Sequence, residues 1–401
     1  MRSPALFAIA ALTARAFAAS PGNIKHDWGR YPRGSGQLCE GSQGPQRPVF
    51  SRYIDVTASA ENYIINFPEP ANETVVTEFV LEASLQINGT LAKELVTGTQ
   101  HISGTYAIYS QLCFPKGPTT SSTLQFLIHG GGYAREYWNN APGYSYVDFA
   151  AERGYPTFLY DRLGCGLSDH ADPLTVVQSP LEVAIAHELV QQLRNGAISN
   201  LVVEKVFGVG HSFGSQQLNG ITSAYPKDLD AAELTGLVVG GPASSSAVAF
   251  AAFNLNIAAI LDPARFGTLP SAYLTSNSEA GIQTFFFRAQ NFDPALLTLS
   301  VATAQTLTIG EFLTLTAGIS PAANFTGPVD FTIGEHDMPV CQGNCLLPTN
   351  LAAGTKALLY PAASNGSSYY VAPDTGHEIN YHYSATGAYE HIHKFLKKNG
   401  L

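Results

Sequence analysis

The sequence predicts an α/β fold: a mostly parallel central sheet flanked by helices, with a helical cap inserted into it. Three observations predict this. Short β-branched runs alternate with amphipathic helical runs from about residue 121. The alternation stops near Ala243 and resumes at Pro328. Ser212, flanked by glycines, falls at the junction of one strand-like and one helix-like run. Alternating strand and helix demands a parallel sheet, because each parallel pair needs a crossover and both faces of the sheet are then covered.

Taken in order, residues 1–19 read as a secretory signal, with Arg2, an apolar stretch over 5–14 and the small-x-small pattern Ala16-Phe17-Ala18. A segment rich in Gly, Pro and Arg over about 21–48 reads as a covering arm. Strands are expected over 75–87, 101–114 and 124–129, where β-branched and aromatic residues concentrate. A helix follows over 144–153, a short buried strand over 157–160, and a helix over 180–195 opened by Ser179 and Pro180. Further strands are predicted over 203–210 and 234–240, with a helix over 215–224 between them. Helical apolar stretches with aromatic clusters such as Phe285-Phe286-Phe287 fill 243–325. Strands over 328–334 and 367–372 and a helix over 386–398 close the chain. The expected organisation is therefore a signal over 1–19, an arm with first strands over 20–120, a core over 121–242 and 326–401, and a cap over 243–325. No repeat at a solenoid period is visible.

With 401 residues, 45% of them hydrophobic, the chain can build a large core. A formal net charge of -10 without a basic patch argues against nucleic acid and anionic membrane surfaces as partners. The most apolar later stretch, 236–261, is broken by Gly240-Gly241-Pro242 and by polar residues, so it reads as a core strand and helix, and stable membrane insertion is not expected. Sequons at Asn72, Asn88, Asn324 and Asn365 suit a secreted, extracellular glycoprotein. The 5 cysteines suit an oxidising compartment, with Cys341 paired to Cys345, Cys39 to Cys113, and Cys165 left as a buried thiol. Zinc would need two close-spaced ligand sets, and the sequence offers one loose pair.

The chemistry concentrates at Gly210-His211-Ser212-Phe213-Gly214, a G-x-S-x-G pattern between a buried strand and a helix. That context places Ser212 on a sharp turn as a candidate nucleophile. A serine hydroxyl needs a base, and the base an orienting acid. His377, after the last expected strand, is the expected base. Two carboxylates follow the strand over 328–334: Asp337 is the first choice for the acid, standing farther into its loop, and Glu335 the alternate. His129-Gly130-Gly131-Gly132 ends a strand with bare backbone, so Gly131, with Gly132 as neighbouring option, and the Phe213 N–H are expected to form an oxyanion hole. Tyr133, Trp138 and the cap phenylalanines are expected to line a substrate pocket. His382, His391 and His393, near the last helix, read as surface or packing residues. His377 and His382 stand one residue too far apart for H-E-x-x-H, and Gly208, Gly210 and Gly214 do not make G-x-G-x-x-G.

Together these residues resemble the α/β-hydrolase fold superfamily. The resemblance rests on His129-Gly130-Gly131, the segment from Tyr160 through Asp161, Arg162 and Gly164 to Asp169, the turn at Ser212, Gly334-Glu335-His336-Asp337 and Gly376-His377. The chain is similar to secreted fungal members of the branch typified by simple hydrolases. The resemblance implies a triad of Ser212, Asp337 and His377 and no cofactor. Two features depart from the pattern: the long N-terminal arm, and an extended stretch between Asp337 and His377 that holds Cys341 and Cys345. Serine at the turn, rather than aspartate, argues against haloalkane dehalogenase and epoxide hydrolase chemistry, which need a carboxylate nucleophile.

The expected function is a serine hydrolase cleaving a carboxylic ester of a small, apolar acyl substrate. Peptide, lactone or thioester cleavage and a non-hydrolytic tailoring reaction of secondary metabolism are alternatives on the same serine, and a catalytically silent binding protein is the reading from another class. Oligomeric state is not legible.

Overall fold

A computed structural model of the chain describes residues 37–38, 48–85, 94–115, 122–198, 203–240 and 245–401. The expected signal, most of the arm, Cys39 and the sequon at Asn88 lie outside the described residues.

Strands follow one another as β1 (Gln37–Leu38), β2 (Pro48–Ile65), β3 (Val96–Cys113), β4 (Thr123–Ile128), β5 (Thr157–Tyr160), β6 (Lys205–His211) and β7 (Ala231–Thr235). Three short strands come next: β8 (Asn256–Ile257), β9 (Tyr273–Thr275) and β10 (Leu307–Thr308). The series ends with β11 (Val329–Gly334) and β12 (Ser368–Ala372). The main sheet runs β1-β2-β3-β5-β4-β6-β7-β11-β12, parallel from β5 onward and antiparallel before it.

In β4, Leu127 faces one apolar layer while Leu124, Phe126 and Ile128 face the other, the two-residue alternation of a strand. Tyr146, Val147 and Ala150 of the helix Tyr146–Glu152 pack in the first layer with Ile392, Phe395 and Leu396 of the helix Ala385–Lys398. Leu181, Ile185 and Leu189 of the helix Ser179–Arg194 pack in the second with Leu218 and Ile221 of the helix Phe213–Ala224. Both faces are therefore covered, and β4, β6 and β7 read as near-continuous buried runs.

The segment expected as a strand over 75–87 is instead the helix Glu73–Leu85. Asn72 Oδ1 accepts the N–H groups of Thr74 (3.0 Å) and Val75 (3.2 Å), and Val76, Phe79 and Val80 bury one face. Their three- and four-residue spacing outweighs the β-propensity of the valines. The long strand of this region is β2, which the sequence reading left unassigned. There Ile54, Val56 and Ala58 point inward and Asp55 and Thr57 outward, paired antiparallel with β3 from Val49↔Cys113 to Ile65↔Val96.

The strand expected over 234–240 lies at β7 instead, because Gly236 takes a left-handed φ of 62° and turns the chain out of the sheet. Between β7 and β11 run the helices Ser245–Phe253, Glu279–Phe286 and Pro294–Thr303. They are joined by an antiparallel sheet in the order β10-β9-β8 that helical periodicity did not foretell. The helix Leu351–Leu359, before β12, was likewise not anticipated.

Cys341 and Cys345 form a disulfide, and Cys165 is a buried free thiol. Cys113 is disulfide-bonded, while its expected partner Cys39 lies outside the described residues. Among the described residues no helix is long and apolar enough to cross a membrane.

His393 is buried among Phe149, Tyr155 and Tyr146, and that burial pushes its imidazole down to about 3. Below the ordinary histidine pKa the unfolded chain takes up a proton that the folded chain refuses, so this residue's contribution to stability falls as pH drops from about 6.5 toward 3. Urea unfolding of wild type and His393→Phe at pH 7 and pH 5 tests this. The stability difference should move by about 2 kcal/mol in the variant's favour at the lower pH. A pH-independent difference would contradict it.

Candidate active site

β6 ends at His211 and the helix Phe213–Ala224 begins two residues later, so Ser212 alone makes the turn. It does so at φ 54° and ψ -117°, which is costly for a residue with a Cβ and is tolerated where the surroundings over-determine it. They do so here. The Ser212 N–H and the Ser215 hydroxyl both donate to Thr235 O, each at 2.8 Å, tying the turn to the end of β7. A Cβ at Gly210 would lie 2.6 Å from Gly214 O and 2.7 Å from Ser215 N, so the turn closes only around glycine.

His377 stands in the loop after β12. Its Nε2 lies 2.7 Å from Ser212 Oγ and its Nδ1 lies 2.6 Å from Asp337 Oδ2. The loop is held from behind by His382, whose Nε2 accepts the N–H groups of Arg288 (2.9 Å) and Gly376 (3.1 Å) while its Nδ1 donates to Glu378 O. Burial pushes His382 down to about 4, which keeps Nε2 an acceptor.

Of the two carboxylates weighed for the acid, Asp337 is the one at the histidine. Its side chain is fully buried, and its second oxygen accepts the Val340 N–H at 3.0 Å, capping the short helix Met338–Cys341. Glu335 is half-buried and turned the other way, accepting the Asp374 N–H at 3.2 Å. The stretch holding the disulfide backs this arrangement: Gly343 N–H donates to Asp337 O and Cys345 N–H to Glu335 O, both at 2.9 Å.

His129 to Gly132 leave β4 beside Ser212. A Cβ at Gly130 would meet Ser212 Cβ at 3.1 Å, and Gly132 adopts a left-handed φ of 77°. Phe213 is the first residue of its helix, where an N–H has no intrahelical acceptor. Residues from the insertion crowd the loop: Leu307 beside Gly131, Phe253 and Phe286 beside Gly132. Phe286 also stacks on His377, with ring centroids 6.0 Å apart. Tyr133 sits one ring farther back, against Phe286 and Tyr137, with its hydroxyl bonded to Ser300. Trp138 is not brought to the site. It packs on Tyr137 and Tyr146 within the core, because the turn Arg135–Asn139 directs it toward the sheet face.

Two neighbours were not foreseen. The His211 ring stacks on Tyr137 at 4.4 Å and stands 4.9 Å from the His377 ring, with Glu378 Oε1 3.6 Å from its Nε2. Burial, with the charge of Asp337 adding, holds the Glu378 carboxyl well above the usual range. The only sequence signal for either is adjacency to Ser212 or His377. Apart from this line of residues, Glu335, His336 and Asp374 bring one potential metal-ligating atom each within 4.8 Å of one another.

Half-buried Ser212 and the buried His377 and Asp337 thus stand in line at the carboxyl edge of the parallel sheet. The alpha/beta hydrolase family matches residues 126–389, and the chain belongs to that family. No curated protein matches the sequence. Among solved structures, the chain is similar to a thermophilic esterase from Thermogutta terrifontis in its malate-bound form, with 13% identity and a TM-score of 0.50 over 74% of this chain and 96% of the esterase. It is also similar to 2-hydroxy-6-oxo-6-phenylhexa-2,4-dienoate hydrolase from Rhodococcus sp. strain RHA1, with 17% identity, TM-score 0.49, and coverage of 73% and 96%. A monoacylglycerol lipase from Paleococcus ferrophilus shows 13% identity, TM-score 0.47, and coverage of 73% and 99%. At this identity the likeness to the esterase shows the fold.

The tightness of the turn is testable without substrate. Gly210→Ala drives a methyl into backbone that cannot yield, so urea unfolding should show a loss of about 2–3 kcal/mol. Wild-type stability would mean the turn has room that the distances deny.

Proposed function

We propose that this protein is a serine hydrolase that cleaves a carboxylic ester of a small, apolar substrate through an acyl-enzyme. The observation that carries the reading is His377, bridging Ser212 Oγ at 2.7 Å and Asp337 Oδ2 at 2.6 Å. The Ser212 hydroxyl donates to His377 Nε2, which takes the proton as Oγ attacks the ester carbonyl; His377 Nδ1–H donates to Asp337 throughout, fixing the tautomer and stabilising the imidazolium. The tetrahedral oxyanion is met by the N–H groups of Gly131 and Phe213. His377 then protonates the leaving alkoxide, and the acyl group stays on Ser212. Water, deprotonated by the same imidazole, releases the acid and restores the hydroxyl.

Phe253, Phe285, Phe286 and Leu307 around the histidine and the glycine loop support an apolar acyl or alcohol portion. Export belongs to the same proposal. It is supported by the leader-like residues 1–19, the Cys341–Cys345 disulfide and the exposed sequon asparagines Asn72, Asn324 and Asn365.

A fluorophosphonate probe followed by mass spectrometry should label Ser212 in wild type and nothing in Ser212→Ala. With a short-chain p-nitrophenyl ester, Asp337→Asn should lower kcat about ten-thousand-fold through the wrong histidine tautomer, while Glu335→Gln stays near wild type. Equal losses in the two variants would sink the assignment of the acid, and an unlabelled, folded wild type would sink the serine mechanism.

A further inference from the structure

We propose that Arg162 and Glu311 are positioning residues for the oxyanion hole, and that Glu311 makes the placement of the inserted segment a condition for turnover. The inference rests on the serine hydrolase reading above.

It starts from the Gly130 carbonyl, which accepts from His129 Nδ1 at 2.8 Å and faces Arg162 Nη2 at 3.4 Å. The proton on Nδ1 is not a choice: His129 Nε2 accepts the Arg162 backbone N–H at 3.0 Å, so it cannot carry a hydrogen. Burial, then the Arg162 charge, holds the ring neutral. In a trans peptide the C=O and the following N–H point in opposite directions. Holding the Gly130 carbonyl against the arginine therefore turns the Gly131 N–H the other way, and any rotation of that peptide moves both groups together.

Arg162 also touches the second half of the hole. Its guanidinium lies 4.6 Å from the ring centroid of Phe213, whose N–H is the other proposed donor. One buried side chain thus touches the Gly130–Gly131 peptide and the side chain of Phe213, the residues that carry the two proposed donors.

What holds the guanidinium comes from two parts of the chain. Nη1 lies 2.6 Å from Glu182 Oε1, on the helix Ser179–Arg194, and 2.6 Å from Glu311 Oε1, on the helix Ile309–Thr314 that follows β10. All three side chains are buried. Glu311 is itself rigid: its Oε2 accepts the Thr308 N–H at 2.8 Å, and its own N–H donates to Thr308 Oγ1 at 3.0 Å. Residues just before it bind the glycine loop and the turn that follows β5. Gln305 N–H donates to Gly132 O at 2.8 Å, Thr306 Oγ1 donates to Gly164 O, and Cys165 Sγ donates to Thr306 O. The strip over 305–311, contributed by the insertion, therefore pins the loop at Gly132 directly and at Gly130 through Arg162.

An ion cluster with only a stabilising role predicts that its loss lowers the unfolding midpoint and leaves kcat alone. A positioning role predicts loss of transition-state stabilisation with substrate binding retained. Glu311→Gln in the full chain keeps the shape and removes the charge. With a p-nitrophenyl ester its kcat should fall about 10- to 100-fold with KM within about two-fold, and affinity for an alkyl boronic acid, which adds to the serine as a tetrahedral anion, should fall by a similar factor. Wild-type kcat and boronate affinity in the folded variant would overturn the proposal. Glu311→Asp, which keeps the charge one methylene short, serves if the glutamine variant does not fold: the same selective loss supports the proposal and unchanged kcat overturns it. Failure of wild type itself to take the fluorophosphonate would remove the hydrolase reading and this proposal with it. A labelled wild type with wild-type rates in the Glu311 variants removes this proposal alone.

Discussion

A single residue forced into a left-handed turn, Ser212 at φ 54°, organises the rest of this molecule. The turn exists because a fully buried parallel strand must pass directly into a helix packed against the same sheet, leaving no residues for a relaxed loop. Its cost is met by hydrogen bonds from the adjacent strand end at Thr235 and by glycines that let backbone touch backbone. The result is a hydroxyl standing clear of its own main chain at the edge where β4, β11 and β12 also deliver their loops.

The histidines around that hydroxyl are buried, which decides how the polar groups behave. His129, His211 and His382 are all pushed down by burial, so they serve as fixed donors and acceptors rather than as charges. Arg162 is a buried cation of the region, and burial raises its partner Glu182, with the charge of Glu311 adding. Such a cluster adds little stability and fixes geometry, since Glu311 is itself pinned by Thr308.

Some of this was legible beforehand and some was not, for reasons of range. The alternation after residue 121 and the glycine pattern at Ser212 are local, so strands and helices there fall close to where propensity puts them. The helix Glu73–Leu85 was misread because valine-rich composition looks like a strand until the burial of Val76, Phe79 and Val80 on one face is seen. β2 escaped notice because its alternating run gains meaning only from its partner β3. Trp138 was expected in a pocket because it is aromatic and near the glycine loop, yet the direction of a side chain within a short turn is not written in spacing.

By itself, then, the sequence determined the α/β class, the strand-to-helix turn at Ser212 and the candidates His377, Asp337 and Glu335, because each depends on residue types within a few positions of one another. Only the tertiary structure placed Asp337 rather than Glu335 beside His377, set Trp138 into the core, and brought Glu311 across to Arg162. Those outcomes depend on which loops the sheet order places side by side, and distances between segments a hundred or more residues apart follow from packing rather than from local pattern.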